Sequence, residues 1–398
     1  MWRSKPPIQY ECRSPVNAME GFNVSFRKCA LFAITCGLGS ILLFSIDSRA
    51  AAIDAAEQPS VRDGQHDFDF DFGKWKTHSS RLLHPLSGSK EWADMDGYTI
   101  VSKVWNGRAN LAEYKGDGPS SHVELMALRY YNPEARQWGV AFATPGSGTL
   151  SIPCIGEFRN GRGDFYDQEE FNGKYILVRF CIWKISETTA QSEQAFSDDG
   201  GKTWEVNWVN NYTRASDQQE IDWSGHEASQ AVPGAADFDF SAGTWHTHVQ
   251  RFLNPFTDPQ PSFEIDGTKT VRNIWGGRAK LEEIEADSPK GHWEALTLFL
   301  FNPKSRQWSQ VFLNSGTGVI SSALVGSFKN ARGELFQQDT FKGRSILVRG
   351  VWSEITANSH SYTESYSDDG GITWKPAFIA KLTRETTSSS IPLPEKPM

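Results

Sequence analysis

Hydrophobic positions in this chain gather in short runs rather than at helical spacing. Runs such as VELMALRYY (123–131) and ILVRFCIW (176–183) are rich in β-branched and aromatic residues. Turn-forming stretches such as YNPEARQW (131–138) and RNGRGDF (159–165) bound them, and no stretch has the period of a long amphipathic helix. The pattern predicts an all-β chain folded as a sandwich or a closed barrel.

The whole pattern occurs twice. Trp75 and Trp245 are 170 positions apart, and the same offset holds without insertion or deletion as far as Arg214 and Arg384. Solenoid repeats are only about 20–50 residues long, so this repeat indicates duplication of a complete domain. Positions that match between the copies are those that both copies still need, and we use the match to rank candidates.

The N-terminus has the pattern of a signal peptide. Two basic residues, Arg27 and Lys28, precede an apolar run over Cys29–Phe44 and then small residues over Ser48–Ala52. The run is shorter than the roughly 20 residues of a membrane span. We therefore predict an exported, periplasmic or secreted protein with no membrane span after cleavage near Ala51. The predicted organisation is a signal-peptide region at 1–50, a disordered segment at 51–65, a first domain at 66–215, a linker at 216–235, a second domain at 236–385 and a disordered tail at 386–398.

Composition narrows the partners. The net charge of −8 leaves no basic surplus for nucleic acid. No phosphate loop, dinucleotide motif, nucleophile elbow or zinc set occurs in the sequence, so no cofactor and no metal site is predicted. A small molecule is the predicted partner, and the oligomeric state is left open. Cys154 and Cys181 do not recur in the second copy, which favours a buried thiol or a structural bridge over catalysis.

Two stretches match the Asp-box pattern, SDDGGKTW (Ser197–Trp204) and SDDGGITW (Ser367–Trp374). In such a box the Asp side chain folds back onto turn amides and closes a β-hairpin. Propellers of the sialidase type repeat the box about every 50 residues, whereas here the spacing is 170. We interpret both boxes as hairpin turns rather than as propeller blades.

Several motifs together resemble a known family. FDFDFGKWKTH (68–78), the NPxxRQW turn, GRGDFYDQEEFNGKYILVRF and QAFSDDGGKTWEVNWVNNYTR are similar to those of a large bacterial family of unknown function with a calycin-like, lipocalin-like β-barrel. The resemblance implies two tandem antiparallel barrels, with Trp75 and Trp245 closing the barrel floors. It also implies that Arg214 and Arg384 pack across those Trp rings. The family has no settled activity, and the alternating Phe–Asp stretch is interpreted as a first strand or a short lid.

The leading catalytic candidates are a histidine and a glutamate on one strand face. His122 and Glu124 are two residues apart, as are His292 and Glu294. A histidine beside a carboxylate suits acid–base catalysis or metal ligation. Met126 lies on the same face, which is compatible with the barrel interior; the alternative is a solvated pair at the rim.

Further candidates depend on the same alternation. A glutamate inside a barrel, Glu113 or its copy Glu283, would have a raised pKa and could act as acid or base. Alternation from Trp75 places Arg81 inward as an anion anchor, or as a barrel-closing Arg paired with an acid, and His78 outward. Arg179 is expected to pair with an acidic residue, and one option is an Arg–Glu pair across the lumen, with a structural or a catalytic role. Trp138 and Trp308 are interpreted as core rather than as a sugar platform. The candidate ligand-binding residues are Trp75, His78, Arg81, Trp138 and Arg179, with Trp245, His248, Arg251, Trp308 and Arg349 in the second copy.

Three functions remain open at this point. The leading one is binding of a small, partly apolar ligand in one or both barrels. The second is a cofactor-free lyase, isomerase or hydrolase that acts in the lumen by acid–base catalysis from His122, Glu124, Glu113 or Arg81 and their copies. The third is a periplasmic interaction module with filled barrels. Pocket volume and lining discriminate between the three: a cavity lined by His122 and Glu124 favours the enzyme, an apolar cavity favours the binder, and no cavity leaves the module.

Overall fold

A computed structural model describes residues 62–119, 121–218, 232–288 and 291–385. The predicted signal peptide, nearly all of the predicted N-terminal segment, most of the predicted linker and the predicted tail lie outside these ranges. Within them the chain forms strands and short 3-10 turns, and none of its helices is long and apolar enough to cross a membrane.

The first ten strands form one closed antiparallel barrel. They are β1 (Gly73–Leu82), β2 (Trp92–Val104), β3 (Ala109–Gly118), β4 (Ser121–Asn132), β5 (Gln137–Ala143), β6 (Cys154–Arg159), β7 (Arg162–Phe171), β8 (Lys174–Lys184), β9 (Thr189–Ser197) and β10 (Glu205–Arg214). Each strand pairs with the next one in the chain, and β10 returns to pair with β1. Closure removes the exposed sheet edges that an open meander would leave.

The second copy repeats this topology. Its strands are β11 (Gly243–Phe252), β12 (Ser262–Ile274), β13 (Ala279–Ser288), β14 (Gly291–Asn302), β15 (Gln307–Asn314), β16 (Leu324–Lys329), β17 (Arg332–Phe341), β18 (Arg344–Ser353), β19 (Ser359–Ser367) and β20 (Lys375–Arg384). β20 closes on β11. The all-β prediction is confirmed, and the fold is two barrels rather than sandwiches or propellers.

The stretch FDFDF is a plug rather than a strand. Asp69–Asp71 form a 3-10 turn, and β1 begins only at Gly73. The turn places the fully buried Phe68 ring 4.8 Å from the Trp138 ring and 4.9 Å from the Phe158 ring, by centroid. The alternation of apolar and acidic residues therefore does not mark a strand here, because neighbouring side chains also point in different directions in a 3-10 turn.

The predicted packing of an arginine across each floor tryptophan is confirmed. The Arg214 guanidinium lies 3.6 Å from the centroid of the Trp75 ring, and Arg384 lies 4.1 Å from that of Trp245. Arg214 also donates hydrogen bonds to the Phe70 and Phe72 carbonyls at the plug. This combination of stacking and hydrogen bonds closes one end of each barrel.

The Asp boxes are hairpin turns, as predicted. Asp199 accepts hydrogen bonds from the Lys202 and Thr203 amides, each at 3.0 Å, between β9 and β10. Hydrogen bonds, chiefly from Thr203, lower the Asp199 pKa to about 2. Cys154 and Cys181 are both free and buried. Cys154 faces the lumen beside Val140 and Cys181 faces outward, so of the two options the buried thiol is confirmed and the bridge is wrong.

The two barrels pack against each other through the outer faces of β3–β4 and β13–β14. Apolar side chains of both copies form one buried cluster, which includes Leu111 and Leu128 with Leu281 and Leu298. A loop of the second barrel crosses onto the first at Gly318, where a Cβ would lie 2.3 Å from a first-barrel backbone carbonyl. The barrels therefore share one continuous core region.

Candidate functional site

The histidine–glutamate pair lies between the barrels. His122 Nδ1 is 2.6 Å from Asp117, and its Nε2 is 2.9 Å from Glu124. The second carboxylate oxygen of Glu124 accepts a hydrogen bond from Arg278 of the other barrel. The hydrogen bond to Asp117, assisted by the one to Glu124, raises the His122 pKa.

The second copy repeats the contact in reverse. Glu294 forms an ion pair with Arg108 of the first barrel, and His292 Nδ1 lies 3.1 Å from Asp287. The pairs Arg278–Glu124 and Arg108–Glu294 are thus related as in a two-fold symmetric interface.

Glu113 and Glu283 also belong to this interface. Glu113 accepts a hydrogen bond from the Trp275 backbone N–H at 2.5 Å, and Glu283 is 3.5 Å from that of Trp105. Both tryptophans have left-handed backbones, with φ of 51° and 49°, a conformation that is unfavourable for bulky residues. Burial raises the Glu113 pKa, opposed by this hydrogen bond. Each carboxylate therefore supports a strained turn of the other barrel.

Of the two options for His122 and Glu124, the lumen is wrong, and the solvated rim does not describe Glu124, which is buried against the other barrel. Glu113 is not in the lumen either. Strand alternation separates two faces but does not say which is inside, and both faces of β3–β4 are apolar. Ala112 and Ala127 pack in the lumen core, while Leu111 and Leu128 pack against the second barrel. Contacts between the barrels account for the presence of Glu124 and Glu113 in both copies.

The four predicted tryptophans are core residues. Trp75, Trp138, Trp245 and Trp308 are at most 1% exposed. Each indole N–H donates to a backbone carbonyl of its own barrel, at 2.7–2.9 Å. None of these rings presents a free face to solvent as a binding platform would.

The predicted histidines His78 and His248 lie outside the barrels. Their Nδ1 atoms are each 2.8 Å from an aspartate, Asp96 and Asp266, on the neighbouring strand. All four side chains are about half exposed or more, so these pairs are solvated surface contacts.

Arg179 and Arg349 also lie on the outer surface. Their guanidinium groups stack on the Asp-box tryptophans, 4.8 Å from the Trp204 centroid and 4.5 Å from that of Trp374. The option of an Arg–Glu pair across the lumen is therefore wrong, and the outward position follows from the register of β8 and β18.

Arg81 and Arg251 share the inward face of the floor tryptophans but lie at the opposite, open end of each barrel. Arg81 stacks on Trp208 at 5.1 Å. Arg251 lies 3.7 Å from the Glu364 carboxylate, and these two side chains are 35% and 24% exposed. Because both point inward and still reach solvent, the second barrel is open at this end.

The second barrel has a buried polar layer in its lumen that matching between the copies did not find. Lys269 Nζ is 2.9 Å from Glu282 and 3.4 Å from His360 Nε2. All three residues are at least 90% buried, and the His360 ring packs edge-on against Trp245 at 4.4 Å. Burial, with the charges of Lys269 and Arg384, lowers the His360 pKa to about 3.

The first barrel lacks this layer. The residues at the matching positions are Thr99, Ala112 and Ala190. The signal for a site in one barrel is therefore a difference between the copies at inward positions, where charge replaces a small side chain. Ranking positions by agreement between the copies hides such a site.

The first barrel has its own buried pair instead. Asp71 and Arg129 form an ion pair at 3% and 5% exposure, and Ser241 and Phe299 occupy these positions in the second barrel. Neighbouring Asn110 is fully buried. Among the described residues, no group of three or more His, Cys, Asp or Glu side chains is arranged to hold a metal ion.

The open end of the second barrel is lined by aromatic rings. Trp293 and Phe312 stack at 6.3 Å by centroid, point inward and are only partly buried. Deeper in the lumen, burial and the charges of Glu364 and Glu282 raise the Tyr362 pKa. Aromatic rings and the Arg251–Glu364 pair thus line the open end, and the polar layer lies deeper in the barrel.

A groove of about 340 Å³ also lies where the two barrels meet. Its lining includes Tyr130, Pro153 and Ile155 from the first barrel and Val319 and Ile320 from the second. Of the candidate site residues, Trp138 alone is among the residues that line this groove, and it is a core residue.

Fold and site together define a class, a pair of tandem ten-stranded antiparallel barrels with different buried charged residues in their two lumens. No protein-family model and no curated protein matches the chain. The specific family suggested by the FDF opening therefore stays a prediction.

Three solved structures have low similarity. An S-type phycobiliprotein lyase from Guillardia theta has 9% identity and a TM-score of 0.29, covering 39% of this chain and 94% of its own. A DUF3598-family protein of unknown function from Nostoc punctiforme has 10% identity and a TM-score of 0.22, covering 82% and 100%. Transferrin binding protein B from Haemophilus parasuis has 9% identity and a TM-score of 0.17, covering 79% and 76%. At these TM-scores none of them bears on function.

Proposed function

We propose that this protein binds a small, partly apolar molecule in the lumen of its second barrel. The observation that supports this is the buried Lys269–Glu282–His360 layer beneath the Trp293–Phe312 mouth. The lumen of a barrel is a natural site for one small ligand.

The fold does not require the polar layer. Removing two charges from water costs several kcal/mol per ion before their attraction is counted. The first barrel closes with Thr99, Ala112 and Ala190 at the same positions. Both barrels hold a buried charge pair, Asp71–Arg129 in the first and Lys269–Glu282 in the second. What the second barrel adds is a buried histidine beside its pair, where the first has Ala190, and this difference supports a role in binding.

A cofactor-free acid–base enzyme is the weaker alternative. Of its candidates, His122, Glu124 and Glu113 contact or face the other barrel, and Arg81, which points inward, stacks on Trp208. An interaction module with filled barrels remains the alternative outcome of the test below.

Binding can be tested with N-phenyl-1-naphthylamine, an uncharged probe that fluoresces in apolar surroundings. We expect saturable binding to the intact chain, weakened by Trp293→Val, which introduces the first-barrel residue at the mouth. Tyr175→Ala removes an exposed ring of the first barrel (73% exposed) and should leave binding unchanged. Absence of saturable binding would favour the filled-barrel module.

Export is a separate part of the proposal. It is supported by the basic pair Arg27–Lys28 followed by the apolar run Cys29–Phe44. N-terminal sequencing of the mature protein should begin near Ala51, and an intact N-terminal run in the purified protein would refute it.

A further inference from the structure

The charged side chains deep in the second lumen neutralise one another. Lys269 is 2.9 Å from Glu282, and both are less than 10% exposed as side chains. Towards the mouth, Arg251 and Glu364 form a second pair at 3.7 Å. Neither pair leaves a net charge to attract a charged ligand head.

The remaining charges near this lumen are also engaged. Lys280, fully buried, is 2.6 Å from Asp239 at the closed end. Arg384 donates to the Phe240 and Ala242 carbonyls and covers the floor ring. Asp339 lies exposed at the rim and accepts a hydrogen bond from its own strand neighbour at 3.3 Å.

Three buried side-chain atoms of the second lumen have no hydrogen-bond partner among the described residues. They are His360 Nδ1, Gln310 Oε1 and Gln337 Oε1. Lys269 can only donate, so His360 Nε2 accepts from it and the ring hydrogen of the neutral imidazole lies on Nδ1. The lumen therefore offers one N–H donor, at His360, and amide acceptors at Gln310 and Gln337, and each of the charged pairs described above is internally neutral.

The geometry points to an uncharged amphiphile as the ligand: an apolar body against Trp293 and Phe312, and a hydroxyl or amide head at His360 and Gln310. This inference rests on the proposed function, and it names the ligand class. A head that both accepts and donates can accept from His360 Nδ1 and donate to an amide oxygen, whereas a carboxylate or an ammonium would have to compete with an ion pair that is already complete.

A panel with one chain length and different heads tests this directly. Decanamide, decan-1-ol, decanoate and decylammonium are each titrated at neutral pH against N-phenyl-1-naphthylamine bound to the full chain. We expect the amide and the alcohol to displace the probe at concentrations at least ten-fold lower than the two ions. His360→Phe keeps the ring and removes the N–H, and should abolish that preference. His292→Ala, on the outer surface, should preserve it.

The outcomes separate the two proposals. If decanoate binds best and Lys269→Thr weakens it, the ligand class is wrong and lumenal binding stands. The same holds for decylammonium with Glu282→Ala. If the probe does not bind at all, the proposed function itself fails. Should His360→Phe not fold, the ranking of the four heads on the unaltered protein still decides.

Discussion

Replacing Glu124 by alanine should destabilise the protein far more than an ordinary surface substitution. The Glu124 side chain is 3% exposed and its partner Arg278 12%. Removing one member of a buried pair leaves an uncompensated charge and costs about 3–5 kcal/mol. Because Arg278 retains some contact with water, we take the lower end, about 3 kcal/mol.

This loss of unfolding free energy corresponds to a decrease in the melting temperature, Tm. Unfolding entropy of about 2.1 cal/mol/K per residue over about 300 folded residues gives about 0.6 kcal/mol/K, hence a shift of about 5 °C in Tm if the barrels unfold together. Glu294→Ala breaks the matched pair, whose side chains are 29% and 15% exposed. It should cost about half as much.

Differential scanning calorimetry measures both variants beside Glu157→Ala. Glu157 pairs with Arg159 on the surface, at 40% and 79% exposure, so its loss should cost less than about 1 kcal/mol. Combining Glu124→Leu with Arg278→Met should recover much of the loss. The prediction is refuted if Glu124→Ala has the same Tm as the wild type, or if Glu157→Ala lowers the Tm as much as Glu124→Ala does.

Three further predictions concern the interface and the plug. The hydrogen bond to Asp117 raises the His122 pKa, so protonated His122 stabilises the folded state fully below its unfolded pKa of about 6.5, and this stabilisation is lost as pH rises through the folded pKa. The free energies of urea unfolding of wild type and His122→Gln should therefore converge at high pH. A difference that stays constant with pH would contradict this. Arg214→Ala removes the stacking on Trp75 and two hydrogen bonds to carbonyls, and should cost about 3 kcal/mol in urea unfolding; a loss below 1 kcal/mol would contradict the plug. Gly318→Ala, at φ 55° against first-barrel backbone, should loosen the barrel contact, seen as faster amide exchange at the interface but not in the Asp boxes.

Much of the fold could be predicted from the chain. The short strands, the duplication and the turn chemistry of the Asp boxes are local signals, and each predicts its own element. The Trp75–Arg214 contact could be predicted because a resemblance placed it, although the residues are far apart in sequence.

The site could not be predicted for a physical reason. Strands β3 and β4 have two apolar faces, one towards the lumen and one towards the second barrel. The sequence around Glu113 and His122 does not show to which of these faces they belong. The layer around Lys269 was hidden because its members differ between the copies. Only the strand register shows that Lys269 and His360, 91 residues apart, point to one place.

The central claim is that the second lumen binds a ligand through a layer the first lumen lacks. Native mass spectrometry of the protein purified from its own host tests it most directly. The comparison variant combines Lys269→Thr, Glu282→Ala and His360→Ala, which introduces first-barrel residues already compatible with this fold. The account predicts a non-covalent small molecule on the wild type and its loss from the variant. An equal load on both proteins, or none on either, would contradict it.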